Sequence, residues 1–395
     1  MNTMNKPEKK RFYILSVDLV QSVFLIWFVS GHTCLWWDST LDTQFPNLPF
    51  IINVFLILSF IVPPGFLFLY SFNTVNSLLR KNTAEDRKRS RSRLLKRGTI
   101  FFFIAEFAEL SAALINSPQF ILNSLLTWEL FHQFAFSTFF LLVVFEIAWS
   151  IEKHKNWCYQ KICIIELIVC FVFILLLFLL FHDYTQDLRI DTLFVELELN
   201  SIIQKAVFEN GQAPIIPYLL FPIFGGIFAL FLDFPNKNRG SINRNAGVLT
   251  IIGVSFLAIG FFMWTNIEKY VSPVIQYPIS SPVVFISLGA MSLIMLLLIY
   301  LIDINTLYTR KTISKYFVPF ILVSKITLTV YFLHNVGYVI PSNLPIIQSV
   351  ISDVNIALVV GFLYSVFFVL VAIVWKKWKF KYSFEWIIWK LQNSK

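Results

Sequence analysis

Residues 354–375 read VNIALVVGFLYSVFFVLVAIVW, a run without a single charged side chain. A helix of this length crosses the roughly 30 Å hydrocarbon core of a bilayer. Similar runs recur along all 395 residues, of which 57% are hydrophobic and 14% charged, whereas soluble domains carry about 25% charged residues. Backbone amides in lipid must be paired within their own segment, and the sequence lacks the alternating pattern of a barrel. We therefore predict an all-α, polytopic integral membrane protein.

Polar breaks divide the chain into about ten predicted transmembrane helices. The predicted spans are 15–37, 50–72, 98–116, 128–149, 162–181, 214–233, 247–265, 280–302, 317–340 and 354–375. Domain 15–375 would thus contain all ten helices, between an N-terminal segment 1–14 and a tail 376–395.

Lysine and arginine are distributed unevenly between the loops, and this bias predicts the orientation of the spans. With segment 1–14 in the cytoplasm, 28 of the 32 basic residues fall in cytoplasmic segments, nine of them in the loop 80–97. Outer loops hold three more, and one lies inside a span. Both the N-terminus and the C-terminus, with its basic tail 376–395, are therefore predicted to be cytoplasmic.

Charge and cysteine content argue against two classes of site. The net charge of +9 follows from this topology and from anionic lipid headgroups, so no nucleic-acid partner is required. The four cysteines form no CxxC pair and no His-rich spacing, so we expect neither a disulfide framework nor a metal site.

The longest predicted outer loop is 182–213, an extracytoplasmic segment with six acidic and two basic residues. Its middle, 191–210, has apolar spacing that indicates a helix on the outer surface. That helix either only packs at the interface or covers a substrate. As a cover, its negative charge would favour a neutral or amine-bearing acceptor over a phosphate-rich one.

Two ionisable residues, Asp18 and His32, lie within the first predicted span. Their separation of 14 residues is close to four turns, so both project from one face, roughly 21 Å apart along the axis. Ser22 and Val29 lie on the same stripe. An ionisable group in lipid costs several kcal/mol unless it is paired or solvated. We therefore predict that this stripe faces the interior of the bundle and marks a functional site.

Further ionisable residues are predicted near the outer surface, namely Glu129 and His132 on the fourth span and His334 on the ninth. Glu129 and His132 are three residues apart and share a helix face. A histidine oriented by a carboxylate acts as a general base or acyl acceptor near neutral pH. We therefore treat these residues, together with Asp18 and His32, as candidate catalytic residues. The alternative is that the histidines only bond to backbone carbonyls across helices.

Lys325 is the basic residue inside a predicted span. Glu106 and Glu109 share one face of the third span at nearly the same depth, so we predict an ion pair between them and Lys325, with a structural role. Lys325 and His334 are nine residues apart and point in opposite directions on a straight helix, which separates this pair from the outer histidines.

Six stretches in chain order carry a resemblance to a known family. They are RFYILSVDLVQSVFLIWFVSGH (11–32), PPGFLFLYSFNTVNSLLR (63–80), RLLKRG (93–98), QAPIIPYLLFPIFGGIFA (212–229), KITLTVYFLHN (325–335) and YSFEWIIWKL (382–391). The chain resembles the membrane acyltransferase type 3 superfamily, particularly the branch containing heparan-alpha-glucosaminide N-acetyltransferase and its bacterial relatives.

The resemblance implies transfer of an acyl group, usually acetyl, from cytoplasmic acyl-CoA to a hydroxyl or amine of an extracytoplasmic sugar or glycan. In the implied mechanism, His32 accepts the acyl group or deprotonates the acceptor. A polyanionic nucleotide needs cations on the inner face. The candidate donor-binding residues are Arg11, Arg93, Lys96 and Arg97, although the positive-inside topology also accounts for their charge.

The chain departs from the family at two sites. Gln21 and Ser22 stand where the family has Arg-Gly, and Tyr382 and Ser383 stand where it has Gly-Pro. Gln21 removes a cation that would engage a CoA phosphate or pair with Asp18.

Two other classes of function stay open. One is a proton-coupled transporter or flippase in which Asp18, His32 and His334 relay protons, although the halves of the chain show no convincing repeat. The other is a non-catalytic homologue, suggested by Gln21. The expected partners are membrane lipids, acyl-CoA and an extracytoplasmic glycan, with a homodimer among the assemblies considered and the plasma membrane as the location.

Overall fold

The computed structural model of the chain is built from helices. The residues that it describes are 14–37, 61–80, 83–116, 130–155, 158–187, 215–233, 239–266, 281–304, 312–313, 315–342 and 354–393. Every secondary-structure element within these ranges is helical, so the all-α prediction is confirmed.

We number the main helices in chain order. They are α1 Leu15–Trp37, α2 Val62–Leu78, α3 Ala84–Asn116, α4 Leu130–Lys155, α5 Tyr159–Asp187, α6 Leu220–Leu232, α7 Arg239–Asn266, α8 Ser281–Leu298, α9 Val318–Val323, α10 Thr327–Ser342, α11 Val354–Trp375 and α12 Phe384–Asn393. A single turn, Ile215–Tyr218, precedes α6, and a π-helical segment, Ile299–Ile304, continues α8.

Seven helical segments of the described chain are long and apolar enough to cross a membrane, which indicates an integral membrane protein. They are Leu15–Thr33, Leu130–Lys155, Tyr159–Leu180, Ile215–Leu232, Arg239–Thr265, Ser281–Ile304 and Ile356–Trp378. The predicted second, third and ninth spans correspond to α2, to the C-terminal part of α3 and to α9 with α10, which are not among these seven.

Two predicted loops are partly helical. Most of the basic loop 80–97 belongs to α3, which begins at Ala84, so its cations lie along a helix that continues into the predicted third span. Helix α5 runs to Asp187 and so includes the start of the predicted loop 182–213. The rest of that loop lies outside the described residues.

The predicted ninth span is interrupted. Helix α9 ends at Val323, the residues Ser324–Ile326 form a 3₁₀ turn, and α10 begins at Thr327. A 3₁₀ turn inside a helix changes the hydrogen-bond register and often marks a functional hinge or a strained sequence.

Helix α1 occupies the centre of the site region, because it contacts α2, α9, α10, α11 and the π-helical end of α8. Asp303 in that π-helical segment accepts hydrogen bonds from the first amides of α1, at 2.9 Å from Leu15 N and 3.1 Å from Ser16 N. These amides have no partner within their own helix. The side chain of another span therefore caps α1.

Close helix contacts hold the bundle together at glycines. A Cβ atom on Gly225 of α6 would overlap the Phe68 carbonyl oxygen of α2, and one on Gly361 of α11 would lie 2.6 Å from the Ser30 carbonyl oxygen of α1. Small residues let helix backbones approach closely in membranes, where van der Waals packing replaces the hydrophobic effect.

Candidate functional site

The structure brings together two of the predicted histidines from different helices. His32 Nδ1 of α1 lies 3.4 Å from His334 Nε2 of α10. The Phe28 ring packs against both imidazoles and stacks on Tyr331, with ring centroids 5.0 Å apart. His334 is buried, whereas His32 is partly exposed. The two imidazoles thus form a pair enclosed by aromatic rings.

Hydrogen bonding defines the tautomers of this pair when both rings are neutral. His334 Nδ1 contacts the Tyr331 carbonyl oxygen, which only accepts, so Nδ1 carries the proton and Nε2 carries the lone pair. His32 Nδ1 then donates to His334 Nε2. The lone pair of His32 consequently lies on Nε2. A neutral imidazole with this arrangement is a base or nucleophile oriented by its neighbour.

His132 lies beside a different carboxylate from the one predicted. Its Nε2 is 3.4 Å from Glu106 Oε1 of α3, and its ring is buried. Glu129, the predicted partner, lies outside the described residues, as does the side chain of Glu109. A carboxylate of α3 therefore lies beside His132, and the predicted orientation of His132 by Glu129 stays a prediction.

The predicted ion pair of Lys325 with Glu106 was wrong. Lys325 Nζ lies 2.5 Å from Asp18 Oδ2 of α1, and the Glu106 carboxylate lies next to His132 instead. The sequence prediction relied on a similar depth in the membrane, whereas in the structure Lys325 lies in the 3₁₀ turn and its side chain reaches Asp18 of α1. Lys325 and His334 were also predicted to point apart, whereas both contact α1.

The inward face predicted for α1 is confirmed. Asp18 pairs with Lys325 at one end, and His32 contacts His334 at the other. Between them, Gln21 Nε2 donates to Thr327 Oγ1 at 2.8 Å. The polar stripe of α1 therefore faces α9, the 3₁₀ turn and α10.

A cavity of about 420 Å³ opens between α1, α2, α3, α4, the start of α10 and α12. Arg97 and Glu385 are the charged side chains of its lining among the described residues. A polar stripe of α2 forms one wall. Its members are Tyr70, Asn73, Thr74 and Ser77. Gln21, at the position where the resembled family has arginine, borders the same cavity.

The predicted donor-binding cations differ in their positions. Arg97 borders the cavity and donates to Gln392 Oε1 of α12 at 3.5 Å. Arg93 donates to Asn393 Oδ1 at 3.1 Å, one turn further from the cavity. Lys96 is absent from the described lining, and Arg11 lies outside the described residues. Arg97 is thus the predicted cation best placed for a ligand in this cavity.

Sequence reasoning missed two parts of the cavity. The polar side chains of α2 recur at intervals of three and four residues within an apolar span, a periodic signal that was available in the sequence. Glu385 had no periodic signal, because it follows the last predicted span in a basic tail, and its signal was its place in the stretch YSFEWIIWKL (382–391). Only the return of α12 to the bundle brings its carboxylate to the cavity.

Comparisons with known proteins identify no relative. No family model matches the chain, and searches of curated proteins and of solved structures found no significant match. The geometry of the site is therefore the basis for the proposals below.

Proposed function

We propose that this chain is a ten-span membrane acyltransferase of the plasma membrane, with both termini in the cytoplasm. It transfers an acyl group, acetyl in the family that it resembles, from cytoplasmic acyl-CoA to a hydroxyl or amine of an extracytoplasmic sugar or glycan. The observation that carries this proposal is the inward face of α1, where Gln21 borders the cavity and His32 contacts His334. These positions are 11 residues apart, roughly 16 Å along the axis. One helix thus connects a donor cavity with an imidazole pair.

The lining of the cavity fits the donor. Arg97 offers a guanidinium group, which binds phosphate oxygens in a bidentate manner. Tyr70, Asn73 and Thr74 supply hydroxyl and amide groups for the two amides of the pantetheine arm. A volume of about 420 Å³ lies within the range of small-molecule sites. Gln21 contributes hydrogen bonds there without a second positive charge.

The proposed chemistry uses the Nε2 lone pair of His32. The acceptor oxygen or nitrogen attacks the thioester carbonyl carbon while His32 Nε2 removes its proton. The C–S bond then breaks, and the CoA thiolate takes up that proton and leaves as a thiol. In the alternative route, Nε2 attacks the carbonyl carbon itself, the C–S bond breaks and CoA leaves as a thiolate. The acceptor then attacks the acyl-imidazole, the N–C bond breaks to release His32, and the acceptor proton passes to the CoA thiolate. His334 stabilises the charge on His32 through the Nδ1 hydrogen bond in both routes.

Radiolabelled acetyl-CoA tests the proposal with the purified protein in lipid nanodiscs. We expect hydrolysis or transfer of the label, and loss of turnover by a factor of about 10² to 10⁴ in His32→Ala, the usual contribution of a general base. His154→Ala is the matched control, because His154 is exposed at the cytoplasmic end of α4. Undiminished turnover in His32→Ala would remove His32 from the mechanism.

Cysteine labelling tests the proposed topology. Single cysteines in segments 1–14 and 376–395 should react with a membrane-impermeant maleimide only after the membrane is opened, whereas a cysteine in segment 182–213 should react in intact cells. Labelling of the two termini from opposite sides would refute the ten-span arrangement, because an even number of crossings keeps them together.

One observation favours a second candidate function, a transporter of a small polar or lipid-linked substrate. Transporters bind substrates and coupling ions at interrupted helices, and the break at Ser324–Ile326 places Lys325 beside Asp18. Substrate uptake into liposomes without acyl-CoA would support this function. Acetyl transfer that requires His32, in protein that shows no uptake, would exclude it.

A further inference from the structure

The C-terminal helix α12 returns to the bundle and contacts α3 and α10. After α11, a 3₁₀ turn at Lys376–Trp378 leads into a tight reversal in which Lys379, Phe380 and Tyr382 have positive φ angles of 54°, 54° and 70°. The indole nitrogen of Trp375 donates to the Lys381 carbonyl oxygen at 2.8 Å and closes this reversal. The chain thus adopts a costly backbone to direct α12 toward the cavity.

The carboxylate of Glu385 on α12 caps α10. Its Oε1 accepts hydrogen bonds from the Leu328 and Thr329 amides at 2.6 and 3.2 Å, and its Oε2 accepts one from Thr329 Oγ1 at 2.6 Å. In return, the Phe384 amide donates to Thr329 Oγ1 at 2.8 Å. This reciprocal pattern resembles a capping box, but its two halves come from different helices.

The interruption of the ninth span explains why α10 needs this cap. Amides in the first turn of a helix have no acceptor within that helix, and α10 begins directly after the 3₁₀ turn at Ser324–Ile326. A carboxylate at a helix N-terminus also interacts favourably with the helix dipole. Glu385 therefore fixes the start of α10 against α12.

The same half-helix carries the imidazole partner of the proposed base. Tyr331 and His334 follow Thr329 by two and five residues, so His334 lies roughly 7.5 Å along the axis from the capped turn. Tyr331 stacks on Phe28, and His334 contacts His32. Rotation or displacement of the first turn of α10 would therefore move both rings away from α1.

We infer that Glu385 is a positioning residue for the His32–His334 pair, and that α12 couples the donor cavity to this pair. The inference rests on the proposed function for its catalytic meaning. Ile388, Trp389 and Gln392 of α12 border the cavity beside Arg97, so one helix contributes to the cavity wall and also holds the half-helix that carries His334.

Carbethoxylation of histidines by diethyl pyrocarbonate, followed residue by residue with mass spectrometry, tests the inference without any activity assay. In Glu385→Ala we expect His32 and His334 to react about 5- to 30-fold faster, the factor that corresponds to loss of a helix cap. Glu385→Gln keeps an oxygen acceptor for the α10 amides and should react at close to the native rate. Thr329→Val removes the hydroxyl that bonds to Glu385 and to the Phe384 amide, and it should also raise the reaction rates of His32 and His334.

Two controls separate positioning from general loosening. Lys390→Ala alters an exposed residue of the same helix and should leave the rates unchanged. The reaction rate of exposed His154 should be the same in every variant, so it serves as a control for the effective concentration of the reagent. Unchanged reaction rates at His32 and His334 in both Glu385→Ala and Thr329→Val would overturn the inference. An equal rise of these two rates in Lys390→Ala would overturn it as well.

The outcome is independent of the proposed function. A native protein that transfers no acyl group, but shows the expected pattern of histidine reactivity, would retain Glu385 as the residue that holds the imidazole pair. An active native protein whose kcat is unaffected by Glu385→Ala, with unaltered histidine reactivity, would keep the acyltransferase proposal and refute the inference alone.

Discussion

A double-mutant cycle on Asp18 and Lys325 probes the contact that joins α1 to the interrupted helix formed by α9 and α10. The changes are Lys325→Met, which keeps the length of the side chain, Asp18→Asn, which keeps its shape, and the two combined. The Nζ to Oδ2 distance is 2.5 Å, and the exposed fractions of the two side chains are 41% for Lys325 and 11% for Asp18. The pair is therefore half desolvated.

The contribution of this ion pair to the free energy of unfolding lies between two limits. Exposed pairs contribute about 0.2–1 kcal/mol, whereas removal of one member of a buried pair costs about 3–5 kcal/mol. Because Lys325 is partly exposed, we expect Lys325→Met to cost about 2–3 kcal/mol and the coupling energy to be about 1–2 kcal/mol. Asp303, a second carboxylate at the same end of α1, adds to the cost when Lys325 is removed.

Denaturant unfolding of all four proteins in one detergent measures the coupling. The exposed pair of Arg89 and Glu85, with exposed fractions of 65% and 73%, is the control and should couple by about 0.5 kcal/mol or less. A coupling between Asp18 and Lys325 no larger than that of this surface pair would refute the reasoning. It would mean that the contact does not hold the two spans together.

Three further predictions concern packing, the backbone and pH. Gly225→Ala should destabilise the protein by at least about 1–3 kcal/mol, because its Cβ would meet a carbonyl oxygen, whereas Gly247→Ala, with open space, should stabilise it by up to about 1 kcal/mol in thermal unfolding. Lys379→Gly should stabilise the docked tail by about 1 kcal/mol, since its φ of 54° suits glycine, and protection of the tail from proteases measures this. Burial raises the pKa of Glu385, so the folded state binds more protons than the unfolded one. Stability should therefore fall as the pH rises from about 4.3 through the folded pKa, and Glu385→Gln should remove that slope.

Hydropathy was sufficient to predict long apolar helices of the described chain. The predicted spans 15–37 and 354–375 coincide with α1 and α11, because lipid imposes both a length and an apolar composition on a crossing helix. The shared face of Asp18 and His32 followed from helical periodicity, which holds for a straight helix such as α1.

Pairing between helices could not be predicted in the same way. Depth in the membrane was compatible with Glu106 as a partner for Lys325, and the choice of Asp18 depends on a 3₁₀ turn that the apolar sequence of the ninth span does not signal. The role of Glu385 depends on a chain reversal at residues with positive φ. Glycine readily adopts such angles, but here Lys379, Phe380 and Tyr382 adopt them, so the local sequence does not signal the reversal.

The cap and the counterion of α1 have a consequence for biosynthesis. Asp18 meets Lys325 only after 307 further residues have been made, and Asp303 follows Leu15 by 288 residues. At about 5–20 residues per second, the first helix waits roughly 15–60 seconds for its counterion. A lone carboxylate is costly in hydrocarbon, so during this interval the nascent helix has to stay beside polar groups of the insertion machinery or keep Asp18 protonated. Chains truncated before Lys325 would leave the ribosome with an orphan acidic helix, a substrate for membrane quality control.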